Sequence, residues 1–168
     1  MKNIVLFGFM GCGKSTVGAL LAQRTGRQLL DTDGYLEAQA GRKIPEIFTA
    51  DGEAAFRRME REVCAALAGR EGLVVCCGGG TVLDEENAVW LGKGGHMVFL
   101  DAGFEICYER IRESDRPLVR QNSKEALRQI YLRRQPVYRS RAAFCVDADQ
   151  MPQQTVQAVL EAIGEEKA

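Results

Sequence analysis

The sequence predicts an α/β protein of the doubly wound type, in which helices cover both faces of a parallel sheet. Two observations support this prediction: five short apolar runs recur along the chain, and helical patterns separate them. Runs without alternating polar residues are typical of strands buried on both faces, and regular alternation of strand and helix is typical of parallel sheets. A length of 168 residues, with 46% hydrophobic and 27% charged residues, indicates one globular domain over residues 1–168.

The five runs predict strands because each is too short for a helix, and the segments between them predict helices from their periodicity. Asp84 and Ser123 are suited to cap helix N-termini, and Gly26 and Gly41 are suited to end helices. The stretch Glu113–Asn122 lacks apolar periodicity and contains Arg-Pro, which predicts a mobile loop. The predicted strands are Ile4–Phe7, Gln28–Leu30, Leu73–Cys76, Met97–Leu100 and Ala143–Val146. The predicted helices are Lys14–Thr25, Asp33–Ala40, Glu53–Ala68, Asp84–Leu91, Phe104–Arg112, Lys124–Arg134 and Pro152–Ile163.

Composition argues against several classes of protein. No apolar run approaches the roughly 20 residues that cross a bilayer, and the N-terminal apolar run is too short for a signal peptide, so we expect a cytoplasmic protein with no membrane partner. The six cysteines form no C-x-x-C pair, and the single His96 cannot complete a Cys/His zinc set. One histidine also argues against Ser-His-Asp and Cys-His hydrolases. We therefore expect chemistry based on carboxylates, cations or backbone amides.

The glycine-rich segment Gly8–Ser15 is the most specific motif in the sequence. It fits G-x-x-x-x-G-K-[ST], with an apolar run directly before it and a helical pattern directly after it. Glycines in this motif let backbone N–H groups and the N-terminus of the following helix face phosphates. Lys14 would supply positive charge, and the hydroxyl of Ser15 would be a ligand for Mg²⁺. A simple turn after a strand is the alternative, but the context on both sides favours a nucleotide-binding P-loop.

Two carboxylates follow the second apolar run, in Asp31-Thr32-Asp33. Side chains alternate at the end of a strand, so we expect Asp31 and Asp33 on the same side of the sheet's carboxyl edge, where α/β proteins bind ligands. In a phosphotransferase, one carboxylate can serve the magnesium ion while the other accepts a hydrogen bond from a substrate hydroxyl. An Asx-turn with a helix cap is the alternative.

Two further features are weaker when each is taken alone. Arg57 and Glu60 are three residues apart on a predicted helix and are therefore neighbours. A guanidinium oriented by a carboxylate suits an anionic substrate, although a surface ion pair is the alternative. The run Gly78–Gly80 follows the third predicted strand and can bring N–H donors near a ligand; a permissive turn is the alternative.

Positive charge is concentrated in one part of the chain. Residues 109–141 carry ten basic and four acidic side chains, although the formal net charge of the protein is -1. A loop that brings an arginine over ATP would offset charge on the transferring phosphoryl group and exclude water. A solvated helix face is enough to explain Arg128. Aromatic residues are sparse in this block and its flanks are acidic, so we expect no nucleic-acid partner.

Taken together, these motifs resemble the shikimate kinase family along nearly the whole chain. The resemblance implies a three-layer P-loop NTPase fold similar to that of nucleoside monophosphate kinases, with a central five-stranded parallel sheet, a substrate-binding segment at about 33–61 and a mobile lid at about 111–122. Besides the P-loop, the matching residues are Asp31–Asp33, Leu36-Glu37, Gly41, Ile44, Glu46–Phe48, Gly52-Glu53, Phe56-Arg57, Glu60, Gly78–Gly80, Arg116–Leu118, Arg134, Pro136 and Tyr138.

The resemblance also implies an activity and a role for each matching residue. The protein would transfer the γ-phosphoryl group of ATP to the 3-hydroxyl of shikimate, with Mg²⁺ as cofactor, in aromatic amino-acid biosynthesis. We expect a monomer, although the sequence does not determine the oligomeric state. The catalytic residues would be Asp33, Lys14 and Arg116, with Asp33 as base. ATP would be bound by Gly11, Cys12, Gly13, Lys14, Ser15, Thr16, Arg110, Arg116 and Pro152. Shikimate would be bound by Asp33, Arg57, Glu60, Gly79, Gly80 and Arg134, with Glu60 orienting Arg57, and the metal by Ser15 and, through water, Asp31.

The sequence leaves three points open. The segment before the lid is one residue shorter than the family pattern, so either Arg110 or Arg112 is the adenine partner. Cys12 lies inside the P-loop, and we expect its alkylation to block ATP binding. The competing functions are a gluconate or nucleotide kinase of the same fold, and a regulatory protein in which nucleotide binding drives a switch. A nucleotide acceptor would have little use for arginines that bind a carboxylate.

Overall fold

Five parallel strands form the central sheet of the computed structural model, which describes residues 1–165. The strands are β1 (Asn3–Phe7), β2 (Gln28–Asp31), β3 (Leu73–Cys76), β4 (Gly95–Asp101) and β5 (Phe144–Asp147). Their order across the sheet is β2-β3-β1-β4-β5, and every neighbouring pair is parallel. The connection from β1 leads to β2 on one side of the sheet, and the connection from β3 crosses to β4 on the other side of β1. This reversal of direction opens a crevice at the carboxyl ends of the central strands. The predicted fold class is confirmed.

Helices flank the sheet and follow the strands in alternation. They are α1 (Lys14–Thr25), α2 (Thr32–Ala40), α3 (Ile44–Asp51), α4 (Glu53–Ala68), α5 (Glu85–Gly94), α6 (Phe104–Ile111), α7 (Pro117–Gln121), α8 (Lys124–Arg141) and α9 (Pro152–Ala162), with a 3-10 turn at Thr81–Leu83. The predicted caps are confirmed: the side chains of Asp84 and Ser123 accept hydrogen bonds from backbone N–H groups of α5 and α8. Gly26 and Gly41 end α1 and α2 in the left-handed conformation, with φ of 71° and 65°.

Burial differs between the centre and the edges of the sheet. Every residue of β1 and β3 is buried, as expected for strands covered on both faces. The edge strands differ from that prediction, because only Leu30 is buried in β2 and only Val146 in β5. An edge strand has a single strand neighbour and less helix cover, so its outer side chains reach solvent. None of the helices within residues 1–165 has the length and apolar character needed to cross a membrane.

Two helices and one extension differ from the sequence-based prediction. Helix α3 begins with Pro45 in its first turn and buries only Ile47, so its apolar pattern is weak. Helix α7 lies inside the stretch predicted as a loop and contains no buried residue. Helix α8 continues through Pro136 to Arg141, although an interior proline removes one hydrogen bond. Burial of Tyr138 beyond the proline compensates for that loss.

Candidate active site

A cleft of about 240 Å³ lies at the carboxyl edge of the sheet, where β1, β2 and β3 end. It is lined by the P-loop, by both carboxylates at the end of β2, by the first two glycines after β3 and by two arginines from the basic block. The lining residues are Met10, Gly11, Gly13, Lys14, Ser15, Thr16, Asp31, Asp33, Cys76, Cys77, Gly78, Gly79, Arg110 and Arg116. The topology therefore brings together motifs that are far apart in the sequence.

The P-loop is shaped by glycines that side chains could not replace. Gly11 has a φ of 79°, and a Cβ atom there would lie 2.7 Å from the carbonyl oxygen of Cys107. Gly13 caps α1 with a φ of 100°. Among residues 1–165, no acceptor is bonded to the N–H groups of residues 13–16, so this helix start can receive phosphate oxygens.

Lys14 is held across the same loop. Its Nζ donates hydrogen bonds to the carbonyl oxygens of Gly8 at 2.8 Å and Phe9 at 3.1 Å, and it lies 3.5 Å from the Sγ of Cys12. Cys12 is buried, with 1% of its surface exposed, so an alkylating reagent needs an opening of the loop to reach the thiol. The effect of alkylation on ATP binding stays a prediction.

The two carboxylates at the end of β2, Asp31 and Asp33, share the cleft but have different environments. Asp31 is exposed and caps α2 by accepting a hydrogen bond from the N–H of Gly34 at 2.8 Å. Asp33 lies in the first turn of α2, and burial raises its pKa to about 6, with further increases from Asp31, Glu60 and Glu37 and a decrease from Lys14. The capping alternative is therefore true of Asp31, while the raised pKa of Asp33 is in the range that a general base needs near neutral pH.

The glycine run after β3 gives space to three of the predicted site residues. An ideal Cβ atom on Gly78 would lie 2.7 Å from Oδ1 of Asp33, one on Gly79 would lie 3.5 Å from Nη1 of Arg134, and one on Gly80 would lie 3.3 Å from Nη1 of Arg57. Each glycine thus faces a different functional group, which a generic turn would not require. The run joins the carboxylate and the two guanidinium groups in one site.

Backbone hydrogen bonds fix the orientation of this run. The N–H of Gly78 donates to Oγ1 of Thr32 at 3.0 Å, and the hydroxyl of Tyr138 donates to the carbonyl oxygen of Gly79 at 2.6 Å. In the described part of the chain, nothing accepts from the N–H groups of Gly79 and Gly80. These two donors remain available to the hydroxyl groups of a ligand.

Arg57 is positioned by a buried carboxylate. Its Nη1 donates to Oε1 of Glu60 at 3.0 Å, and its guanidinium lies 5.2 Å from the centre of the Phe56 ring. Glu60 is only 3% exposed, and the Arg57 side chain is 34% exposed. A surface ion pair would have two solvated partners, so this is not an ordinary surface pair. Neither residue is among those that line the cleft, and Arg57 adjoins the site through Gly80.

Arg134 reaches the site from α8. The side chain is half-buried beside Gly79 and Tyr138, and it forms no ion pair with any carboxylate of residues 1–165. Burial raises the pKa of Tyr138 to about 12, with a smaller decrease caused by Arg134. A half-buried cation without a carboxylate partner is costly, so the geometry favours an anionic ligand at this position.

The basic block contributes two arginines to the nucleotide side of the cleft. Arg110 donates to the carbonyl oxygen of Gly11 at 2.9 Å, whereas Arg112 pairs with Glu109 at 3.4 Å and does not line the cleft. This placement favours Arg110 as the adenine partner. Arg116 is exposed at the start of α7 and also lines the cleft.

Two predicted ligand contacts concern the adenine and the metal. Pro152 begins α9 and is not among the described residues that line the cleft, so its adenine contact stays a prediction.

The two predicted metal ligands, Ser15 of the P-loop and Asp31, both line the cleft. A hydroxyl and a carboxylate are the hard oxygen ligands that Mg²⁺ prefers, together with phosphates and water. Residues 1–165 contain no cluster of three or more His, Cys, Asp or Glu side chains arranged for a metal.

Sequence reasoning missed part of the site. Thr81 and Asn87 are fully buried and contact Glu60 from the 3-10 turn and from α5. The position of Thr81 directly after the glycine run could have identified it. Asn87 gives no such signal, because a polar residue inside a helix resembles a solvated position.

The fold and the cleft define a P-loop kinase for a small acceptor. A model of the shikimate kinase family matches residues 10–164. The chain belongs to the shikimate kinase family. It is 44% identical over 148 residues to a shikimate kinase of Desulforudis audaxviator, which covers 88% of this chain and 78% of that protein.

Solved structures agree with this membership. Shikimate kinase from Acinetobacter baumannii in complex with shikimate matches 96% of this chain and 94% of its own, with a TM-score of 0.85 and 36% identity. A gluconokinase from Sinorhizobium meliloti matches with a TM-score of 0.64 and 22% identity, over 97% of this chain and 91% of its own. At that identity the gluconokinase shares the fold alone, so the similarity does not extend to its acceptor.

Proposed function

We propose that the protein phosphorylates the 3-hydroxyl of shikimate with ATP, giving shikimate 3-phosphate and ADP. The observation that carries the proposal is the arrangement around Gly78–Gly80, where two guanidinium groups and one carboxylate with a raised pKa meet free backbone donors. A carboxylate ligand suits Arg57 and Arg134, and a reacting hydroxyl suits Asp33. The family relative from Acinetobacter baumannii, solved in complex with shikimate, supports this acceptor.

The proposed mechanism rests on alignment and charge more than on covalent chemistry. Asp33 accepts a hydrogen bond from the attacking hydroxyl and takes its proton as the hydroxyl oxygen bonds to the γ-phosphorus, while the bond from that phosphorus to the β,γ-bridging oxygen breaks and ADP leaves. Lys14 moves from its carbonyl partners to the phosphates, and Arg116 closes over them to offset developing charge. Mg²⁺, held by Ser15 and through water by Asp31, would supply charge neutralisation at the phosphates.

The proposal extends to the organisation of the chain. One kinase domain would contain a substrate-binding segment at about 33–61, formed by α2, α3 and the start of α4, and a lid at about 111–122 that includes α7. The shallow burial of α7 supports a lid role, since a segment with few buried contacts can move. A monomer in the cytoplasm, acting in aromatic amino-acid biosynthesis without nucleic-acid or membrane partners, is the corresponding cellular setting.

The experiment that tests the function is ADP release with a panel of acceptors. We expect turnover with shikimate and none with gluconate or AMP. The methyl ester of shikimate is a matched control, because it keeps the hydroxyl groups and removes the negative charge that Arg57 and Arg134 would bind. Preference for gluconate or AMP would overturn the proposal, and nucleotide hydrolysis without any acceptor would favour the regulatory alternative.

A further inference from the structure

A buried hydrogen-bond network surrounds the carboxylate that Arg57 contacts. Glu60 is its centre: Oε1 accepts from Nη1 of Arg57 at 3.0 Å and from Nδ2 of Asn87 at 3.5 Å, and Oε2 accepts from the hydroxyl of Thr81 at 3.0 Å. Asn87 also donates to the carbonyl oxygen of Thr81 at 2.9 Å. Glu60 is 3% exposed, and Thr81 and Asn87 are each 0% exposed.

The network fixes the position of the Glu60 carboxylate. A buried carboxylate is stable only when its oxygen atoms receive hydrogen bonds, and here each oxygen has at least one donor. Thr81 is itself held by Asn87, so its hydroxyl has a defined direction towards Oε2. With Oε2 occupied in this way, Oε1 is left to face Arg57.

The same network connects two parts of the acceptor site, the glycine run Gly78–Gly80 and Arg57 on α4. Thr81 directly follows the glycine run, and its N–H donates to the carbonyl oxygen of Gly78 at 3.1 Å. Its hydroxyl bonds to Glu60 on α4, the helix that also carries Arg57. A displacement of Thr81 would therefore change the distance between the glycine donors and the guanidinium group.

We propose that Thr81 and Asn87 are positioning residues that set the geometry of carboxylate recognition by acting through Glu60 on Arg57. Neither side chain lines the cleft. Their effect is specific to the acceptor, because the P-loop and Arg116 share no hydrogen bond with the network in the described residues. This inference rests on the proposed function, in that it assumes an acceptor with a carboxylate.

The test is Thr81→Val, which keeps the side-chain volume and removes the donor. We expect kcat/KM for shikimate to fall about tenfold through a higher KM for shikimate, with KM for ATP changed less than about twofold. Thr81→Ser restores the hydroxyl and should restore most of the activity. Thr25→Val is the matched control, because its hydroxyl bonds to the carbonyl oxygen of Leu21 at the far end of α1, and it should leave both KM values unchanged.

A double-mutant cycle tests the route through Arg57. In an Arg57→Ala background, Thr81→Val should cause little further loss of kcat/KM for shikimate, because the group that it positions is absent. A full additional tenfold loss would overturn the inference, as would equal increases in both KM values or no change in either. Asn87→Ser gives the same readout if Thr81→Val does not fold. Failure of the wild-type protein to use shikimate at all would instead overturn the proposed function.

Discussion

The two sides of the cleft hold their arginines in different ways. On the acceptor side, Arg57 is bonded to a buried carboxylate and packs on Phe56. On the lid side, Arg116 is exposed, and no ion pair or hydrogen bond joins its side chain to another of residues 1–165. Helix α7, which Arg116 precedes, has no buried residue. The acceptor side is therefore preorganised for recognition, whereas the lid side can take its working position only when the nucleotide supplies its partners.

Asp33 lies between the two sides, and its replacement should have the largest effect. Asp33→Asn is expected to lower kcat by about 10²- to 10⁴-fold, because the reacting hydroxyl loses its proton acceptor. ATP affinity, measured by titration calorimetry, should change little. The wild-type protein should lose kcat/KM below about pH 6, where Asp33 becomes protonated. If Asp33→Asn keeps the wild-type kcat, Asp33 does not act as the proton acceptor.

The same substitution should stabilise the fold at neutral pH. The pKa of Asp33 is raised from 3.8 to about 6, so the native state binds this proton more tightly than the unfolded state. The stability that protonation contributes is complete below pH 3.8 and is lost as pH rises to about 6. At pH 7, Asp33→Asn is therefore expected to increase the free energy of unfolding by about 1–3 kcal/mol. Urea denaturation at pH 5 and pH 8 measures this gain, which should be larger at pH 8.

Arg57→Ala should act on recognition. We expect shikimate binding to weaken by about 2–5 kcal/mol, because the substitution removes the cation and leaves Glu60 buried without its ion-pair partner. Titration of shikimate against the protein measures the change. Arg58→Ala is the matched control, since Arg58 is the exposed neighbour on the same helix. Equal affinities in Arg57→Ala and the wild type would show that the carboxylate binds elsewhere.

Arg116→Ala should act on the chemical step. Loss of its charge over the phosphates is expected to lower kcat by about 10²- to 10³-fold, with the affinity for shikimate unchanged. Single-turnover kinetics separates this effect from product release. The control is Arg120→Ala, because Arg120 lies on α7, the short helix that Arg116 precedes, and pairs with Asp115. A change in shikimate affinity with kcat intact would contradict the division of the cleft into two sides.

Tyr138→Phe should have the smallest effect. The variant keeps the ring that packs on Phe7 and Phe99 and loses the hydrogen bond to the carbonyl oxygen of Gly79. A single neutral hydrogen bond contributes about 1 kcal/mol, so we expect KM for shikimate to rise about fivefold and KM for ATP to stay constant. Equal increases in KM for shikimate and KM for ATP would instead indicate a general loss of packing at the carboxyl edge of the sheet.

Local patterns in the sequence predict most of the fold and part of the site. The P-loop, the central strands and the Asp31/Asp33 pair are contiguous motifs, so their geometry follows from residues that are neighbours in the chain. Helix α7 is not predictable in this way because it contains no fully buried residue and has no periodic apolar face; only Leu118 and Val119 pack partly against the core. The continuation of α8 past Pro136 also depends on tertiary burial, which overrides the local cost of the proline.

The contacts around Glu60 show why the rest of the site needs the structure. Glu60, Thr81 and Asn87 come from three separate elements, and only the packing of α4 against α5 and the 3-10 turn joins them. Their burial is not visible from residue type, because all three are polar residues that most often face solvent. The sequence predicts that Arg57 and Glu60 are neighbours but not that the carboxylate is enclosed.

The glycine run has a consequence for how acceptor preference can change within this fold. An added Cβ atom at Gly78 would lie 2.7 Å from Asp33 and displace its carboxylate, and one at Gly80 would lie 3.3 Å from Nη1 of Arg57 and crowd the guanidinium. At Gly79 the corresponding distance to Arg134 is 3.5 Å, an ordinary contact that only a larger side chain would disturb. Replacement of Arg57 and Arg134 alone would change the charge of the acceptor site but would leave the backbone of Gly78–Gly80 unchanged. Laboratory evolution towards an uncharged polyol would therefore need coupled substitutions in the backbone run and in the facing side chains, and libraries that vary only one of these sets should yield few active variants.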